Sequence, residues 1–96
     1  MILNIKQQYD YIFTDPYKNK RKFLIILYKN INDENIKLVF DQNEPISIDD
    51  IKSFIEVIYG MDNKWMNVTN ICNKLSVDNL KNKLSVDNLK NKLPVD

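Results

Sequence analysis

The clearest pattern in the chain is an alternation. Lys22 to Lys29 is rich in β-branched and aromatic side chains, and Ile36, Leu38 and Phe40 alternate with Lys37, Val39 and Asp41, so residues 22–41 are expected to form a β-hairpin. The polar run Asn30 to Asn35 supplies its turn. The first of these strands is apolar on both faces, which suits a central strand and demands a neighbour on its other side. Leu3 to Phe13 can provide it, because Leu3, Ile5, Tyr9, Tyr11 and Phe13 alternate, but Ile2, Ile5, Tyr9, Ile12 and Phe13 also fit a helix. The preferred reading is a helical or irregular start followed by a strand near 9–13. Asp15-Pro16 then ends the element and opens a polar loop to Lys22.

Downstream the period changes. Ser47-Ile-Asp-Asp has the outline of a capping box, and Ile48, Ile51, Phe54, Ile55, Ile58 and Tyr59 form an apolar stripe that Gly60 would close as a left-handed cap. A second helix is expected from about Asp62, with Trp65, Val68, Cys72 and Leu75 at helical spacing. The fold class is therefore α+β: a small antiparallel β-sheet of about three strands covered by two helices, forming a single domain over residues 1–75.

The last third repeats with a period of nine. Leu75-Ser-Val-Asp-Asn-Leu-Lys-Asn-Lys83 recurs unchanged at 84–92, and Met66 to Lys74 is a diverged copy. Nine residues advance an α-helix by about two and a half turns, so Val77, Leu80 and Leu84 would face one side and Val86, Leu89 and Leu93 the other. Residues 76–96 are thus expected to be a repeat-derived helical extension that breaks, frays or self-associates through residues 75–93. Ser76, Ser85 and Pro94 stand where short broken helices would start.

Composition narrows the chemistry. The chain has 96 residues and a formal charge of +1, with 14 Asn, 13 Ile and 13 Lys but no His, a bias expected of a very AT-rich coding sequence. Without His the commonest general acid/base and most zinc and copper sites are missing. The lone Cys72 allows neither a disulfide framework nor a Cys–His nucleophile, and the lone Gly60 excludes glycine-rich phosphate loops. No cofactor and no metal are expected, and the chain reads as non-enzymatic. Its longest apolar run, Phe23 to Tyr28, is far short of the roughly 20 residues that span a bilayer. With no signal sequence either, a cytoplasmic protein without membrane contact is expected, in a bacterial host cell.

Two charged clusters remain as candidate sites. Asp41, Glu44, Asp49, Asp50 and Glu56 form an acidic stretch suited to a basic surface on another protein, although helix capping and solubility explain it as well. Tyr17, Lys18, Lys20, Arg21 and Lys22 form the one basic cluster, with an aromatic able to stack a base, although residues 1–65 carry nine Lys/Arg against ten Asp/Glu. A calcium loop starting at Asp41 fails, because Ile46 stands at its sixth position and Lys52 at its twelfth. Trp65 reads first as a core residue, although it follows the helix break at Gly60 and could reach the surface, where Trp is a favoured binding anchor.

The order of hairpin, acidic stretch, Ser47-Ile-Asp-Asp-Ile-Lys-Ser-Phe54-Ile55 and then Trp65, over residues 22–66, resembles the layout of small phage-borne anti-CRISPR proteins that inhibit the Cas9 nuclease. The resemblance implies an α+β inhibitor without catalytic activity that occupies a nuclease's DNA-recognition surface with acidic side chains. The near-neutral charge and the duplicated tail depart from that pattern. The expected function is a protein-binding module, in its most specific form an inhibitor of a bacterial defence nuclease carried by a phage or mobile element of a low-GC host. The alternatives are nucleic-acid binding through Lys18 to Lys22 and self-association through the repeats.

Overall fold

The hairpin forms where the alternation places it, and the rest of the fold is built around its first strand. A computed structural model describes residues 1–77, so the repeat-derived extension expected beyond that point lies outside the described residues. The elements are β1 (Leu3–Ile5), α1 (Tyr9–Phe13), β2 (Phe23–Asn30), β3 (Asn35–Asp41), β4 (Ile46–Ile48), β5 (Ile51–Met61) and β6 (Lys64–Asn67), followed by a helix, α2, over 69–77. Two antiparallel sheets result: four strands in the order β3-β2-β5-β6, and a two-stranded ribbon of β1 and β4. The class is α+β, with six strands where about three were expected.

One face of the larger sheet carries the core. Leu24, Ile26 and Tyr28 of β2 are buried, and so are Val57 and Tyr59 opposite them on β5. The β1–β4 ribbon contributes Leu3, Ile5, Ile46 and Ile48, α1 contributes Tyr9 and Phe13, Val68 comes from just before α2 and Cys72 from its first turn. Ribbon and helices together make the second layer, and the chain from 42 to 50 crosses the sheet's inner face from one end to the other. Turns are made with Asn and Asp in place of glycine: Asn19, Asp33, Asn43 and Asp62 all have positive φ, a conformation their short polar side chains tolerate. Asn30, buried in the hairpin, fixes its loop by accepting from the amides of Asn32 at 3.0 Å and Glu34 at 2.9 Å.

Three expectations are corrected. Ser47 to Gly60 is not a helix but two strands, the end of β4 and most of β5, joined at Asp49 and Asp50. Two β-bulges displace the register of β5 against β2, between Leu27 and Tyr28 and again between Lys29 and Asn30. Each inserts a residue, so the inward positions fall at Ile51, Phe54, Val57 and Tyr59, a spacing of three, three and two that imitates helical period in the sequence. The β-branched and aromatic content of the segment favours the strand. The N-terminal assignment is reversed: the strand is Leu3–Ile5 and the helix Tyr9–Phe13, and it is β5 that covers the free edge of β2. Residues 64–67 pair as β6, so the helix expected from Asp62 begins only at 69, where Thr69 Oγ1 accepts from the Val57 amide at 2.9 Å and ends the ladder.

Gly60 is a close-approach residue, not a helix cap. It has no positive φ. A Cβ there would overlap the Lys64 carbonyl oxygen and lie 2.8 Å from Trp65 Cα, both backbone atoms of β6. Gly60→Ala should therefore push β6 away and cost about 1–3 kcal/mol, within the range of overpacking substitutions. A urea midpoint unchanged from wild type, with unchanged Trp65 emission, would contradict that packing.

Candidate interaction surface

The opposite face of the four-stranded sheet has no second layer among the described residues. Directly opposed residues share a face, so the register assigns its rows. Asp41, Phe23, Gly60 and Trp65 form the first row; Val39, Ile25, Ile58 and Asn67 the second; Lys37, Leu27 and Glu56 the third. Ile55, the extra residue of the first bulge, lies beside Glu56. Phe23, Ile25, Leu27 and Ile58 are half-buried, while Val39 is 58% exposed, Ile55 51% and Trp65 38%. Trp65 is held by its indole N–H, which donates to the Asp62 carbonyl. The result is an apolar strip with Lys37, Glu56 and the Arg21–Asp41 pair around it.

The acidic residues do not join into one face. Asp41 and Glu44 sit at the Phe23 end of the sheet, where the Arg21 guanidinium grips the Asp41 carboxylate with two donors and holds its carboxyl below the usual range. Asp49 and Asp50 lie between β4 and β5 at the other end, about 24 Å away for seven strand residues. There Asp50 accepts from the Tyr28 hydroxyl at 3.1 Å. Of the five, Glu56 and the Arg21-bound Asp41 are on the open face.

The basic cluster is largely consumed by the fold. Lys22 has the parity of Leu24 and Ile26 and is 1% exposed. Its Nζ donates to the carbonyls of Tyr17 at 3.1 Å and Lys20 at 2.8 Å and to Asp15 Oδ1 at 2.9 Å, which uses all three donors, with Asp10 Oδ1 at 3.6 Å. Arg21 is committed to Asp41. Lys18 and Lys20 remain exposed, Lys20 with its Nζ 6.0 Å from the Tyr17 ring centre. Two lysines and one tyrosine make a weak electrostatic footprint for a nucleic acid.

Burial disfavours ionisation of the Cys72 thiol and of the Tyr59 and Tyr9 hydroxyls. Burial pushes the Cys72 thiol up to about 12. Burial raises the Tyr59 hydroxyl well above its ordinary value, helped by its 2.7 Å bond to Asp10 Oδ1, and raises Tyr9 likewise, with Glu44 adding to it. These groups tie α1 to the sheet and to the turn after β3, as do Gln42 Nε2 donating to Asp10 Oδ2 at 3.2 Å and Asn43 Oδ1 accepting from the Tyr9 amide at 2.9 Å. A cavity of about 400 Å³, open to solvent between Asn4–Gln7, Ile12 and Leu75, has Lys6 as the one ionisable side chain among the described residues that line it. Among the described residues no cluster of His, Cys, Asp and Glu is placed to hold a metal, and no helix is long and apolar enough to cross a membrane.

Neither protein-family models, nor curated proteins, nor solved structures give a match to this chain. The open face was only partly legible beforehand: a strand apolar on both sides announces two packing surfaces, but which of them the chain itself covers depends on the crossing at 42–50.

Proposed function

We propose that the protein is a non-enzymatic binding module that meets a partner protein with the open face of its four-stranded sheet. One observation carries this reading. Of the six large hydrophobic side chains exposed among the described residues, Val39, Ile55 and Trp65 gather on that face around Phe23, Ile25, Leu27 and Ile58. Three strands about seven residues deep and the four-residue β6 cover about 400 Å². Contiguous apolar patches of that size on small proteins are commonly interaction sites. The rim of Lys37, Glu56, Arg21 and Asp41 supplies the polar border that such interfaces have. If the partner is a defence nuclease, as the anti-CRISPR resemblance implies, Glu56 and the Arg21-bound Asp41 are the carboxylates of the five within the footprint.

The test is affinity capture from the lysate of a low-GC bacterium, with and without added nuclease, using wild type and the double variant Val39→Lys, Ile55→Lys. Both side chains are more than half exposed, so folding should be intact. A stoichiometric protein that survives nuclease and is lost in the variant is the expected result. Capture that disappears with nuclease would instead favour nucleic acid through Lys18 and Lys20, and capture unaffected by the variant would reject the open face.

A further inference from the structure

The open face is complementary to itself. A two-fold axis lying in the interface along β2 sets β2 on β2 of a second copy and β3 on its β5. Row by row, Val39 then meets Ile58, while Ile25, Phe23 and Leu27 each meet their own equivalents. Lys37 meets Glu56, and by symmetry Glu56 meets Lys37. Packed sheets lie about 10 Å apart and cross at about 30°, a gap that a Lys and a Glu side chain together can bridge. Moving the axis half a strand, so that β2 faces β5, instead puts Leu27 against Glu56, Val39 against Asn67 and Asp41 against Trp65. A two-fold across the strands at Ile25 would set Lys37 on an Asp41 already held by Arg21 and leave Glu56 on Gly60 without a cation, so matching of charge and apolarity favours the axis along β2.

We infer that the partner of the open face is a second copy of this chain, docked face to face about an axis along β2 with two reciprocal Lys37–Glu56 pairs. This rests on the binding-face reading above. The complex is a two-fold sandwich in which Trp65, one strand beyond Gly60, overhangs the second copy's β3 beside its Arg21–Asp41 pair. A face of about 400 Å² per copy is smaller than the roughly 800 Å² per partner of stable complexes, so the dimer belongs to the weak class, with a dissociation constant in the micromolar range.

Sedimentation of the full chain from about 1 to 500 µM tests this directly. The mass should rise from one chain to two. Lys37→Glu alone sets two carboxylates against each other and should weaken association by about tenfold or more, and Glu56→Lys alone should do the same with two ammonium groups. The double exchange, Lys37→Glu with Glu56→Lys, should restore it to within about threefold of wild type, which no merely structural role for either surface residue would produce. A chain that stays single at 500 µM would overturn the dimer. So would association indifferent to all three variants, which would move it to the repeats. If self-association fails while the Val39→Lys, Ile55→Lys variant still loses a captured protein, the face belongs to a different partner; if that variant loses nothing, the binding-face reading fails as well.

Discussion

Tyr59→Ala should remove about 3–5 kcal/mol of folding stability, a third or more of what a domain of this size possesses. Tyr59 is fully buried and sits where three elements converge. Its ring centre is 5.7 Å from Tyr9 and 5.5 Å from Phe13, and Tyr9 and Phe13 are themselves 6.0 Å apart, so the trio fixes α1 on the inner face of β5. Edge-on and tilted aromatic contacts add to the area they bury. Truncation opens a cavity and strands Asp10, which has lost its donor at 2.7 Å. A midpoint fall of about 15 °C or more in thermal unfolding is expected. Tyr59→Phe separates the contributions: it keeps the packing, loses one hydrogen bond to a carboxylate, and should cost about 1–2 kcal/mol. Equal losses for the two variants would mean that the ring packing contributes little.

Lys22→Met is the second large effect. The side chain lies under the 14–22 loop with every donor used, and it holds the loop's carbonyls and the Asp15 carboxylate together. Removing it leaves two carbonyls and two carboxylates without their shared cation. Breaking a buried pair costs about 3–5 kcal/mol, and because Asp10 and Asp15 are about a third and a quarter exposed and recover water, about 2–4 kcal/mol is expected here. The pH dependence has a definite sign. The hydrogen bond from Lys22 lowers the Asp15 carboxyl below its ordinary value, so its contribution is present above the unfolded carboxylate value of about 3.9 and is lost as pH falls through the lower folded value. The gap between wild type and Lys22→Met should be full at pH 7 and should narrow below about pH 4. A gap constant down to pH 2 would show that the aliphatic stem, not the ion pair, matters.

How much of this was legible in the sequence follows from where strict alternation holds. The hairpin of β2 and β3, with its Asn30–Asn35 turn, could be read directly because every second residue from Leu24 to Asn30 points inward without interruption. The same rule extended one step back would have buried Lys22 and removed it from the basic cluster. β5 was misread because its two bulges give the spacing of a helix, and period alone cannot tell a bulged strand from an amphipathic helix. The acidic residues looked like one patch because they are close along the chain. Residues 42–50 cross the sheet, however, and carry Asp49 and Asp50 to the end opposite Asp41. Trp65 reads from the sequence as core before contact, and its neighbours on the open face come from β2, β3 and β5, which only the strand order β3-β2-β5-β6 brings together.

The open face as the place where this protein meets others is most directly tested through Trp65, the single tryptophan of the chain. Its quenching by acrylamide should be measured while sedimentation reports the mass, first along a concentration series and then with any captured partner. In the isolated chain the indole is 38% exposed and should be readily quenched. Once the mass shows a complex, quenching should fall by about twofold or more as the sheet face is covered. A complex in which Trp65 stays as accessible as in the free chain would contradict the assignment, because whatever had bound would have done so elsewhere.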